Sequence, residues 1–240
     1  MGVGKNMVSS IRFWMRAFGL SKNDTPTEIA ALILDDEGYD PYIEDDGTLW
    51  ILHYLLVKNN LSSIYNLTFL EFQRERKEFE RSHLLTFIRR KCNVPEQKNV
   101  YNENTVKKDI SVLLHNYVSP SDIRTIDDFS AIFINLGLIR KIDSDKYVFG
   151  SIKQDKMDPD ILLFILMDYK GEDMTISVDS FQELSLLLCM PLSVLIESVK
   201  NLAEQYQEIL SYTDNSGIKN LQFIGKADKF DVLEKYYSRR

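Results

Sequence analysis

Two groups of side chains in this 240-residue chain have the types and spacing to do chemistry. The first is Asp40, Glu44 and Asp45, close together after Gly38, with His53 in the apolar run that follows. Carboxylate oxygens so spaced can hold Mg2+ or Mn2+ beside a scissile phosphate, and His53 could act as ligand or general acid. The same acids also have a structural reading, in which they cap the next helix and complement its dipole while His53 packs. The spacing matches no specific metal motif, so the structural reading is favoured and the catalytic residues stay open.

The second group is Asn104, Lys107, Lys108, Ser111 and His115. They lie opposite Val106, Ile110, Leu113, Leu114 and Tyr117, whose spacing makes one apolar helical stripe. Amides, lysines, hydroxyls and imidazoles of this kind bond phosphates and base edges of DNA. Lys5, Arg12 and Arg16 form a similar basic face opposite Met7, Ile11, Trp14 and Phe18. Each face has a plain alternative as the solvated side of a core helix.

These side chains need elements to position them. Leu84, Leu85, Ile88 and Cys92 predict a helix capped by Ser82, ending in a polar turn through Asn93, Pro95, Glu96, Gln97, Lys98 and Asn99. Asn102 or Asn104 caps the next helix. A linker at Ser119–Asp128 with Pro120 follows, then a short helix Phe129–Leu136 stopped at Gly137. Leu138–Phe149 reads as a hairpin about Asp143-Ser144-Asp145. Two helices and a hairpin predict a winged helix with the hairpin as wing. The pattern recurs after residue 150. A helix Pro159–Tyr169 and a short strand precede a capping box, Ser180 to Glu183, opening a helix to Leu188. A longer helix carries Leu195, Val199 and Leu202, and a hairpin turns at Asp214-Asn215-Ser216-Gly217. The exposed face of that longer helix, Ser193, Glu197, Lys200, Asn201 and Glu204, has one base against two acids and should not seek phosphates.

Upstream, Thr25-Pro26 reads as the start of a helix to Leu34, and a further helix begins near Thr48. The charged run Arg74–Arg81 reads as a solvated turn, and Phe230–Arg240 as a terminal helix. The predicted fold is mainly α with short β-hairpins, as tandem winged helix-turn-helix-like domains. Three segments follow: 1–60, helical, with the basic first helix and the acidic loop; 61–150, the DNA-binding winged helix; and 151–240, a second winged helix for packing or a partner.

The bulk numbers bound this reading. Hydrophobic content of 44% and charged content of 27% are those of a globular protein. The net charge of -7 excludes a polycation, so contact with DNA must come from a local patch. Charge is uneven: nine acids and no Lys or Arg from Asn23 to Leu49, against eleven Lys or Arg and seven acids from Arg74 to Arg124. Cys92 and Cys189 show no metal spacing and read as buried thiols of a reducing cytoplasm. No apolar run approaches the roughly 20 residues of a membrane span, and no secretory signal is readable, so a cytoplasmic location without membrane contact is expected. Gly2-Val3-Gly4-Lys5-Asn6 lacks the earlier glycine and the Ser or Thr of a phosphate-binding loop. No Ser-His-Asp set or HExxH motif is present.

Several stretches resemble the bacterial domain of unknown function 4007 family. They are Gly2 to Trp14; Gly38-Tyr39-Asp40-Pro41-Tyr42-Ile43-Glu44-Asp45 with Thr48 to His53; and Asn104-Thr105-Val106-Lys107-Lys108-Asp109-Ile110, similar to that family's Thr-x-x-(Lys/Arg)-Asp stretch. Family members begin with a further segment holding a Gly-His-Glu-Thr-Phe-like motif, so either a truncated start or an incomplete first domain is expected here. The resemblance implies gene clusters for DNA phosphorothioate modification and phage defence. It further implies a DNA-binding, nicking component acting with a cysteine desulfurase, an ATP pyrophosphatase-like sulfur-transfer protein and an ATPase. A homodimer is compatible with this. Two other classes stay open: a winged-helix transcription regulator without catalysis, and a scaffold for protein partners.

Overall fold

The computed structural model describes residues 4–93, 101–119, 131–215 and 218–240. Pro95 to Asn99 of the expected turn, the linker from Pro120 to Asp128, the start of the helix expected at Phe129, and Ser216-Gly217 lie outside them. The chain is mostly helical with small antiparallel sheets. Helix α3, Asp46–Asn59, runs through its middle, and every residue from Gly47 to Val57 is buried. A helix apolar on all sides must be wrapped by other elements.

Helix α1, Lys5–Ala17, touches the far end of α3, where the Asn59 amide donates to the Ala17 carbonyl at 3.2 Å. A tight turn through Asn23 and Asp24, both left-handed (φ 53° and 59°), pairs β1, Ser21–Lys22, with β2, Thr25–Pro26. The expected helix start at Thr25 is therefore corrected. Thr25-Pro26 is drawn into that ladder, and α2, Glu28–Leu34, begins after Thr27, whose hydroxyl donates to the Gly19 carbonyl at 2.8 Å.

Two units of the same element order follow. The first is a helical run of α4 (Ser63–Asn66), a π turn (Leu67–Phe72) and α5 (Gln73–Glu75). It leads into strand β3 (Glu78–Phe79), helices α6 (Arg81–Lys91) and α7 (Glu103–Tyr117), and the hairpin β4 (Ile139–Asp143) and β5 (Lys146–Phe149). The second is α8 (Pro159–Lys170), β6 (Thr175–Ser177), α9 (Val178–Leu187), α10 (Leu192–Gln205), and the hairpin β7 (Leu210–Asn215) and β8 (Ile218–Phe223). In each unit the strand before the helix pair joins the second hairpin strand, giving the sheet orders β3-β5-β4 and β6-β8-β7. The charged run Arg74–Arg81 is thus no plain turn. Phe79 is buried opposite Tyr147 and anchors a strand. Glu80, not Ser82, caps α6, exchanging hydrogen bonds with His83. Ser180 lies inside the first turn of α9, whose N-cap is Ser177, so the expected capping box is absent. Among the described residues of the helix expected before Gly137, from Ala131 on, there is a 3-10 turn, Ile134–Leu136, closed by Gly137 at φ 64°.

One hydrophobic core runs from Ala17 to Tyr237 and draws on all three expected segments. Helix α11, Lys229–Tyr237, lies on α8 and carries the chain back to the acidic loop. There the Tyr236 hydroxyl donates to Asp45 Oδ1 at 2.6 Å, the Arg240 guanidinium reaches Asp45 Oδ2 at 2.8 Å, and the Tyr237 and Thr48 hydroxyls bond at 2.7 Å. Asp160, nearly fully buried, is held by Tyr206, Lys235 and Arg239. Tyr236→Phe removes a hydrogen bond to a charged acceptor, a change of about 2 kcal/mol, and should lower Tm by roughly 4–8 °C for a chain of this size. Differential scanning calorimetry reads this directly.

Candidate functional site

Helix α7 is capped by Asn102, whose Oδ1 accepts from the Thr105 amide at 3.1 Å. Its stripe packs as the spacing requires: Ile110, Leu113, Leu114 and Tyr117 are buried and Val106 is half-buried. Asn104, Lys107, Lys108 and Ser111 stand exposed on the other side, and His115 is half-buried beside them. Lys107 pairs with Glu103 at 2.7 Å, and the Ser111 hydroxyl donates to the Lys107 carbonyl at 3.0 Å. Both contacts are exposed, local and weak.

The hairpin adds bases that were not singled out from the sequence. After buried Ile139, Arg140 and Lys141 are exposed on β4, and Lys146 is exposed across the turn. The only sequence signal for them was the basic content of a predicted wing. Arg89 and Arg90 are exposed at the end of α6, the latter paired with Glu75 at 2.5 Å. They border a cleft of about 650 Å³ at the start of α7, with Thr86, Cys92, Tyr101 and Glu103. In the second unit, the corresponding helix α10 exposes Ser193, Glu197, Asn201 and Glu204, and Lys200 leans toward Asp214 at 3.8 Å.

On α1, Lys5, Arg12 and Arg16 are exposed, far along the chain from α7. The stripe expected to pack beneath them does so only at one end. Trp14 and Phe18 reach the core, while Met7 and Ile11 are 60% and 52% exposed.

The acidic loop is tied down by hydrogen bonds. Both carboxylate oxygens of Asp40 accept backbone amides, from Glu44 at 2.9 Å and Asp45 at 3.0 Å. Asp45 is the N-cap of α3, accepting from Gly47 at 2.7 Å as well as from Tyr236 and Arg240. Glu44 points to solvent. Among the described residues no group of three or more His, Cys, Asp or Glu side chains is placed to hold a metal ion. The Arg240 guanidinium lies on Asp45 Oδ2, and the bonds of Asp40 and Asp45 to backbone amides make both carboxylates caps of the loop and of α3.

His53 lies away from that loop, fully buried on α3. Its Nε2 donates to the Leu187 carbonyl at 2.8 Å, which leaves Nδ1 to accept the Tyr117 hydroxyl at 2.7 Å. Burial drives its pKa down to about 4, against a smaller opposing pull from that carbonyl. The ring is neutral and structural. Both cysteines are free thiols, and burial pushes Cys189 up to about 12, which leaves it unreactive.

The fold therefore defines a mostly helical protein with two repeated helix-and-hairpin units, one of them exposing Lys107 and Lys108 on its second helix. Two solved structures are similar over nearly the whole chain: an SspB crystal structure and a magnesium ion-bound SspB crystal structure. Each superposes with a TM-score of 0.81 at 25% identity, covering 99% of this chain and 77% of the other. No curated protein matches. The chain belongs to the family described as protein of unknown function (DUF4007), whose profile matches residues 1–237. Among the described residues no single helix is long and apolar enough to cross a membrane.

The buried imidazole fixes a pH dependence. Above pH 6.5 both folded and unfolded chains hold His53 neutral. Below it the unfolded chain takes up a proton that the folded chain refuses until about pH 4. Stability should therefore fall through that window, by roughly 3 kcal/mol from this group, and level off beneath it. Urea denaturation of wild type and His53→Gln at several pH values checks this, with the variant lacking that component of the decline.

Proposed function

We propose that this protein is the DNA-binding component of a bacterial phosphorothioate modification and defence system, and that α7 is its recognition helix. The observation that carries the reading is the two-sided construction of α7. One side is locked into the core, and the other exposes Asn104, Lys107, Lys108 and Ser111, with Glu103 and Asp109 exposed at its edges and Glu103 paired to Lys107. Helix α6 before it, a hairpin with exposed Arg140, Lys141 and Lys146 after it, and the order β3-β5-β4 support reading this unit as a winged helix. In that arrangement α7 enters the major groove and the hairpin bases meet flanking phosphates. Membership of the DUF4007 family and the likeness to SspB support the phosphorothioate setting. In that setting the partners are duplex DNA, a cysteine desulfurase, a sulfur-transfer protein and an ATPase. The acidic exposed face of α10 makes the second unit a packing or partner module.

Removing Lys107 and Lys108 together, each to Ala, should weaken duplex binding and flatten the slope of log K against log salt by about two units, as loss of two phosphate contacts requires. Stability should hardly change, because both side chains are exposed. A fluorescence-anisotropy salt titration decides it, and an unchanged slope would count against α7. Lys200→Ala on α10 serves as the control and should leave affinity alone.

A second reading, metal-assisted nicking, is favoured by the magnesium-bound SspB structure. Incubating the protein with supercoiled plasmid and Mg2+ or Mn2+ tests it. Asp40→Asn disturbs two backbone caps and should cost about 1 kcal/mol, lowering Tm by about 2–4 °C, while any nicking by the wild type persists. Loss of nicking at unchanged Tm would instead make Asp40 catalytic.

A further inference from the structure

The N-terminal half of α1 stands open among the described residues: residues 4–12 are all exposed. Its surface is mixed in a particular way. Met7, Val8 and Ile11 are 60%, 37% and 52% exposed, flanked by Lys5, Arg12 and Arg16 with no acid on the helix. A helix holding DNA by its bases alone has no need of exposed Met, Val and Ile, whereas a protein partner would bury them.

The chain carries a surface of the opposite character. Around the acidic loop, Asp35, Asp36, Glu37, Glu44 and Asp46 are exposed, and no base lies between Asp35 and Asp46. Tyr39 and Tyr42 stand out among them at 45% and 84% exposure. Tyr39 is held rigid by stacking on Tyr237, ring centroids 5.2 Å apart. The loop itself is fixed by the Asp40 and Asp45 bonds, so it offers a preformed acidic and aromatic face.

These two surfaces sit at opposite ends of α3. The base of α1 is bonded to Asn59 at its C-terminal end, and Asp45 caps its N-terminal end. Fourteen helical residues separate them, about 20 Å along the axis. We propose that α1 of one copy docks on the Asp35–Asp46 face of a second copy, and that two copies related by a two-fold axis make this contact twice. Running the two α3 helices antiparallel brings each basic, apolar α1 to the partner's acidic, aromatic loop, and closes the assembly as a dimer.

The experiment uses the full chain in sedimentation velocity over a concentration series. Wild type should approach twice the 28.0 kDa chain mass and dissociate as salt is raised. Arg12→Glu with Arg16→Glu, and separately Asp36→Lys with Glu37→Lys, should each weaken association by about tenfold or more, because like charges then face each other. Mixing the two variants should restore a dimer, since each altered helix then meets an altered loop of opposite sign. Circular dichroism confirms that both remain folded. A monomeric wild type at high protein concentration overturns the proposal, as do variants that associate like wild type or a mixture that fails to recover. If the α1 variant loses DNA affinity with its mass unchanged, the helix is a DNA surface and the dimer contact is wrong. The Lys107 and Lys108 test is independent of all these outcomes.

Discussion

The imidazole of His53 is the point at which three parts of the chain meet without water. It sits on α3, accepts a hydrogen bond from the Tyr117 hydroxyl of α7 and donates one to the carbonyl of Leu187 on α9. Phe69 and Phe133 close over its ring, with centroids 4.8 and 5.7 Å away. A buried imidazole cannot leave either nitrogen unpaired without a penalty of about 1–3 kcal/mol. The rotations of α7 and α9 about α3 are therefore set together. Because α7 is held from inside through Tyr117, its outer face is released from packing duties and can carry amides, lysines and hydroxyls.

The two repeated units show how little topology settles about use. They share the order of helices and strands and the same sheet connectivity. They differ in what the second helix of each pair shows to solvent: Lys107 and Lys108 beside Asn104 and Ser111 on α7, Glu197 and Glu204 beside Ser193 and Asn201 on α10. The ends of the chain differ again. Asp168 anchors α8 to both neighbours, binding Lys58 of α3 at 2.6 Å and Lys229 of α11 at 2.6 Å. Burial alone would raise that carboxyl, but the two ammonium groups outweigh it and hold the pKa below the usual range.

Much of this was legible where the signal is local and long. The α7 stripe, the buried runs of α3 and α8, and both hairpins follow directly from apolar spacing and turn residues. Short elements were harder to read. Thr25-Pro26 has the residues of a helix start, yet the left-handed turn at Asn23 and Asp24 claims it for a two-residue ladder. Strand β3 hides in a charged run, with Phe79 as its sole apolar mark. The α1 spacing does not say that of its stripe Trp14 and Phe18 pack while Met7 and Ile11 stay exposed. For the candidate site, the exposed face of α7 was readable from periodicity. The ties on Asp45 were not, because they come from Tyr236 and Arg240, on the far side of the whole fold in sequence. No pattern within the loop announces them.

That separation has a consequence for how the protein is made. Asp45 and Tyr236 are 191 residues apart. At ribosomal speeds of about 5–20 residues per second, roughly 10–40 s pass between the emergence of one and the other. Through that interval α3, apolar on every side, exists without the helix that shields its beginning. The nascent chain must shelter it in the growing first unit or in a chaperone until α11 arrives to cover it.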